Sequence, residues 1–232
     1  MNRPRYIDLL VCDCDGVLID SEIIAERNVH DTLAERFPAD ELERVLAGTF
    51  GLQSRDILAR VEAHFGVQLP PSFYTEMRAR TEAQIRSQVE VIPHVRDALM
   101  SIDLPLAVAS NSRLDAVEFA LDRCKLAERV DIGIFSADKV ERPKPAPDVY
   151  LAAAKAAGVP PERCLAVEDS STGVTAALTA GMRVVGFLGA SHIPSEHGET
   201  LLQLGVERVF DDMRELAGIV HMLQETPPKR RD

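Results

Sequence analysis

The chain has 232 residues, 46% of them apolar, and a net charge of −11. That is enough apolar material for one large domain or a core with an insertion, and so acidic a balance argues against non-specific nucleic-acid binding, which depends on lysines and arginines neutralising phosphates. The first apolar stretch is broken by Asp8, Asp13 and Asp15 with no small-residue cleavage site after it, and no run of about 18 apolar residues occurs, so neither a signal peptide nor a membrane partner is expected and the cytoplasm is the expected location.

The first predicted element is a buried strand, "YIDLLVC" (6–12). Helical patterns follow at 21–36, 39–47, 54–65 and 71–87, joined by "GTFG" (48–51) and "GVQLPP" (66–71), which read as loops. Further short apolar runs come at 105–110, 131–136, 164–169 and 183–188, rich in Val, Ile and Leu and not strictly alternating. Such runs suit strands covered on both faces of a parallel sheet. Helical patterns at 112–126, 147–157 and 171–180 lie between the later ones. The alternation predicts a doubly wound α/β fold. The helical stretch between the first two strands breaks it, and reads as an inserted domain over 20–88, leaving a discontinuous core of 1–19 and 89–232. The terminal "KRRD" follows "TPP" and reads as a frayed tail.

Open α/β sheets bind ligands beyond the carboxyl ends of their strands. The first strand runs into Asp13 and Asp15, followed at once by Gly16, which permits a tight turn. The second runs into Ser110 and Asn111, and the run at 164–169 ends in Glu168 and Asp169. Before that run, the loop "ERPKPAPD" carries Lys144. Each signal alone has a plainer reading: Lys144 as a solvated lysine, Ser110-Asn111 as an N-cap, Glu168-Asp169 with Ser170 and Ser171 as another. Together, in order, they would bring four carboxylates, a hydroxyl, an amide and a lysine to one sheet edge. Several carboxylates in one place raise one another's pKa unless a cation compensates. Magnesium takes oxygen ligands and a substrate phosphate. The set therefore suits phosphoryl transfer, with one aspartate attacking phosphorus and the other moving protons.

The remaining chemistry-bearing residues add no second site. Four scattered cysteines lack a CxxC pair and read as small buried thiols. The six histidines show no HExxH pattern and read as surface or satisfied core residues.

These motifs make the chain resemble the haloacid dehalogenase superfamily of phosphohydrolases, in the branch that holds β-phosphoglucomutase and small sugar-phosphate phosphatases. "DCDGVLIDSE" resembles the family's first motif, DxDGx[IVL]xDS, and "VASNS" its second. Lys144 in "RPKPAPDVY" matches the third and "VEDSSTG" the fourth. The resemblance implies Asp13 as nucleophile and Asp15 as general acid and base, with Ser110 and Asn111 on the phosphoryl group. It implies Lys144 neutralising nucleophile and phosphate, and Mg²⁺ held by Asp13, the Asp15 carbonyl, Glu168 and Asp169. The helical insertion is similar to that family's α-helical cap.

The position of the mutase's cap histidine is Ala25 here, and that of its cap arginine is Gly51. The resemblance thus favours a phosphatase acting on a small phosphorylated metabolite over a phosphosugar mutase. Candidate substrates are sugar phosphates or sugar-acid phosphates, 6-phosphogluconate among them. Residues 47–55, "AGTFGLQSR", are the candidate specificity loop. Arg55 and Arg80, with Arg78, are candidates to meet a second anionic group, and Glu22 to face the substrate. Glu22 also suits the first turn of a helix capped by Ser21 or Asp20. No signal for the oligomeric state is visible.

Overall fold

A computed structural model describes residues 5–47, 49, 52 and 54–228. Gly48, Phe50, Gly51 and Gln53, which make up much of the expected specificity loop, lie outside them. By contacts the chain forms two compact units, Met1–Asp20 with Glu90–Asp232, and Ser21–Val89.

The chain begins with β1 (Leu9–Cys12). The helical unit then contains α1 (Glu22–Ala34), α2 (Ala39–Leu46), α3 (Ser54–Phe65) and α4 (Phe73–Gln88). Its core is built from pairs three or four residues apart: Val29 with Leu33, Leu42 with Val45, Leu58 with Val61 and Phe73 with Met77. This is the spacing that puts side chains on one helix face. Phe37 and Phe65 stack at 4.3 Å between ring centres beside that core. Neither Ser21 nor Asp20 caps α1 through its side chain, contrary to expectation. The Asp20 carboxylate instead accepts from the Ser191 amide at 3.2 Å.

The other unit continues with α5 (Val95–Ser101), β2 (Leu106–Ser110), α6 (Leu114–Cys124), β3 (Gly133–Ser136), α7 (Asp148–Ala157) and β4 (Cys164–Glu168). It closes with α8 (Ser171–Thr179), β5 (Arg183–Phe187), α9 (His197–Leu204), β6 (Val209–Phe210) and α10 (Leu216–Glu225). The six strands are parallel in the order β3-β2-β1-β4-β5-β6. β1, β2, β4 and β5 are buried along their whole length, as continuous apolar runs require. Small residues, Ala107, Ala109, Ala153 and Ala166, share one core with Leu9, Val11, Val149 and Val174. Two strands, β2 and β3, are added on one side of β1, and β4, β5 and β6 on the other. The order therefore reverses between β1 and β4, where Val11 pairs with Ala166 and Cys12 with Val167. That crevice is where ligands of such sheets bind.

Among the described residues no helix is long and apolar enough to cross a membrane.

Candidate active site

β1 ends at the reversal, and the turn after it is held by backbone bonds from Leu18 N–H to the Cys14 carbonyl and from Gly16 N–H to that of Ile19, both 2.8 Å. Gly16 has φ +74°, which L side chains rarely adopt, and a Cβ on it would overlap the Asp169 carboxylate. A Cβ on Gly173, in the first turn of α8, would likewise overlap the Glu168 carboxylate. Both glycines are therefore needed for close approach to the acidic groups.

Lys144, 3% exposed, occupies the centre. Its ammonium donates to Asp13 Oδ1 at 2.8 Å, to Glu168 Oε1 at 2.6 Å and to the Ala109 carbonyl at 2.9 Å. Burial alone would lower its pKa, but Asp13 and Glu168 outweigh burial and raise it, so the lysine stays cationic. Asp13 is pushed up to about 8, first by burial and then by Glu168 and Asp15, against the lowering effect of Lys144. The lysine and Asp13 thus point the same way: one ammonium among four carboxylates leaves the site short of positive charge.

The Glu168 carboxylate also accepts from Tyr150 Oη at 2.5 Å, from the Asp169 amide at 3.2 Å and from Ser170 Oγ at 3.2 Å. Burial, then Glu168, holds the Tyr150 phenol well above its usual pKa, so it remains a donor. Ser170 caps α8 by accepting from Gly173 N at 3.0 Å. The capping reading of this segment therefore belongs to Ser170, while the acidic pair faces the crevice.

The residues after β2 hold the neighbouring loop and Asp15. Asn111 is exposed, and its amide is paired with the Lys144 main chain: Lys144 N donates to Oδ1 at 2.8 Å and Nδ2 donates to the Lys144 carbonyl at 3.1 Å. It fixes the lysine loop. Ser110 Oγ donates to Asp15 Oδ2 at 3.4 Å and accepts from the Ser112 amide at 2.9 Å. Ser112 Oγ donates to the same Asp15 oxygen at 2.6 Å.

Asp13, Asp15, Ser110, Asn111, Lys144, Glu168 and Asp169 are thus brought together in one unit. Glu22, Arg55 and Arg80 belong to the other. There Arg80 pairs with Glu35 at 3.0 Å, Arg78 with Glu82 at 2.9 Å, and the Arg55 guanidinium lies 4.7 Å from the Tyr74 ring centre. A cavity of about 230 Å³ lined by Ser101, Val220 and Gln224 shares no residue with the acidic cluster.

Sequence reading missed Ser112 and Tyr150, and did not place His192 and His197, read as surface or satisfied core residues, beside Asp169. The third polar residue of "SNS" was a signal for Ser112, and helical spacing within 147–157 could have turned Tyr150 toward the sheet. Nothing local marks the histidines, which lie beyond β5.

One oxygen each of Asp13, Glu168 and Asp169 lies within 4.8 Å of the others. An all-carboxylate donor set short of positive charge fits a hard divalent cation such as Mg²⁺. Cysteine chemistry has no place here, since all four thiols are buried and free, and burial pushes Cys12 up to about 12.

A parallel sheet with this order, an acidic pair after its central strand and a buried lysine bridging to a second acidic pair define a hydrolase class. Residues 7–181 match the family of haloacid dehalogenase-like hydrolases, and the chain belongs to it. Among its relatives, a 6-phosphogluconate phosphatase of Escherichia coli (strain K12) is 29% identical over 188 residues, covering 80% of this chain and 85% of that one. Hexitol phosphatase B of the same strain is 33% identical over 192 residues, covering 80% and 85%. The crystal structure of a conserved haloacid dehalogenase-like protein of unknown function from Agrobacterium tumefaciens superposes with a TM-score of 0.84. It is 34% identical, covering 94% of this chain and 99% of that one.

Proposed function

We propose that the protein is a magnesium-dependent phosphatase of small phosphorylated metabolites, a sugar phosphate or sugar-acid phosphate, working through an aspartyl-phosphate. The observation that carries this reading is the Lys144 ammonium shared between Asp13 and Glu168 at the sheet's reversal point. Taking such charges out of water costs several kcal/mol per ion, and a buried ion pair is weak support for a purely structural role.

Asp13 attacks phosphorus, forming an O–P bond as the bond to the leaving oxygen breaks. Asp15 gives that oxygen its proton. Water then attacks the phosphoryl group, Asp15 takes the water's proton, and the Asp13–phosphorus bond breaks to release inorganic phosphate. Lys144 holds Asp13 in place and offsets charge on the phosphoryl oxygens. In this reading Ser110 and Asn111 would donate to those oxygens, and Ser112 orients Asp15. Asp13, the Asp15 carbonyl, Glu168 and Asp169 would hold Mg²⁺, which when bound supplies positive charge to the phosphate and to ionised Asp13. The choice of metabolite is assigned to the helical unit, with Glu22, Arg55 and Arg80 as its candidates. The substrate class is supported by the two Escherichia coli relatives, one named for 6-phosphogluconate and one for hexitols.

The test is Asp13→Asn in a phosphate-release assay over a panel of phosphorylated sugars and sugar acids. Turnover should fall to background while thermal unfolding stays cooperative. Excess chelator should stop the wild type and added Mg²⁺ restore it. Undiminished turnover in the variant would overturn the chemistry.

A further inference from the structure

Past the residues that match the family lie β5, α9 and the segment between them, and two histidines there reach back to the acidic pair. His197, the first residue of α9, is 4% exposed, and its Nε2 lies 2.8 Å from the main-chain oxygen of Asp169. A carbonyl oxygen only accepts, so Nε2 carries a hydrogen. On the other side of the same residue, the Asp169 N–H donates to Glu168 Oε2. The Asp169 main chain is thus held at both polar ends.

Its carboxylate is bounded as well. His192 Nε2 approaches Asp169 Oδ2 to 3.6 Å, and Gly16 leaves room for that carboxylate only by lacking a Cβ. That 3.6 Å is longer than a hydrogen bond. His197 reaches Asp169 from this segment with a hydrogen bond of 2.8 Å to its main chain.

We propose that His197 is a positioning residue for metal binding. By fixing the Asp169 carbonyl it sets the direction from which the Asp169 carboxylate meets Asp13 and Glu168, and with it the affinity of the cluster for a divalent cation. The inference rests on reading that cluster as the metal site. Hydrogen bonds behind a ligand typically change metal affinity by about 10–100-fold when removed.

The experiment titrates Mn²⁺ into the full chain and reads free Mn²⁺ by electron paramagnetic resonance, for the wild type, His197→Asn and His197→Gln. The glutamine amide reaches about as far as Nε2, whereas the asparagine amide stops near Nδ1. His197→Asn should raise the Kd by about 10–100-fold, and His197→Gln should restore most of the affinity. Equal Kd values for the wild type and His197→Asn would overturn the proposal, as would equal losses in both variants. A wild type that binds no Mn²⁺ would overturn the metal-site reading and this inference with it. Should His197→Asn fail to fold, the wild type decides by NMR. The His197 Nε2–H resonance should move over the same Mg²⁺ range as the metal-linked rise in Tm, and a resonance unmoved at saturating Mg²⁺ would overturn the proposal.

Discussion

In the unit that carries the sheet, Asp13, Lys144, Glu168 and Asp169 are each less than a tenth exposed, and the lysine and Glu168 are surrounded by hydrogen-bond partners. In the helical unit Arg55, Arg78 and Arg80 lie at the surface, with Glu82, Glu35 and the Tyr74 ring as their neighbours. Burying charge is costly and is seen where the charge is used. Surface ion pairs contribute about 0–1 kcal/mol and by themselves mark no site. The contrast teaches where each proposed role finds support: the proposed reaction rests on buried side chains, and the proposed substrate residues have local pairing that says little about substrate.

The sharpest way to break this contrast is Asp15→Asn. It should cost roughly 10²–10⁴ in turnover, the usual range for general acid–base work. With an aryl phosphate, whose leaving group needs less protonation, formation of the phosphoenzyme should suffer less than with a sugar phosphate. Rapid-quench measurement of that step separates this from the later activation of water, and equal losses for both substrates would reduce Asp15 to a structural part. A middle-sized effect belongs to the helical unit. Leu42, fully buried in its core, should cost about 2–5 kcal/mol when cut to alanine. Calorimetry should then show residues 21–89 melting earlier, with turnover of acetyl phosphate retained below that transition. The smallest effect is Arg80→Ala. Its exposed pair with Glu35 predicts a stability change within about 1 kcal/mol. If Arg80 meets substrate, kcat/KM should fall for a phosphorylated sugar acid and stay constant for acetyl phosphate; parallel values for both would remove Arg80 from the substrate residues.

Much of the sheet unit was legible beforehand because a parallel strand buried on both faces must be a short apolar run, and its carboxyl end must be polar where a ligand sits. That is why Asp13, Ser110 and Glu168 could be read straight off their strands. β6, only Val209 and Phe210, was missed because two residues carry no periodicity. An amide at a strand end, as in Asn111, offers N–H groups to a phosphate, but its pairing with the Lys144 main chain is visible only in the fold. His197 is buried and bonded, within the expectation of a satisfied core residue, but the residue it meets lies 28 positions earlier in the chain, and neither hydropathy nor spacing reports such a contact.

The helical unit leaves the sheet unit at Asp20 and the chain returns at Glu90, and these two residues are joined: Asp20 N–H donates to the Glu90 carbonyl at 2.9 Å. Ile92 N–H bonds to the Leu18 carbonyl at 3.0 Å, and Ile19 bridges to Val91. A segment whose ends already meet adds little closure entropy however long it grows, about 0.6 kcal/mol for each doubling. The sheet unit therefore treats whatever lies between Asp20 and Glu90 as an exchangeable cassette. Its length and sequence can drift, be replaced or be shuffled in evolution or by design, while β1 and the residues after it keep their positions.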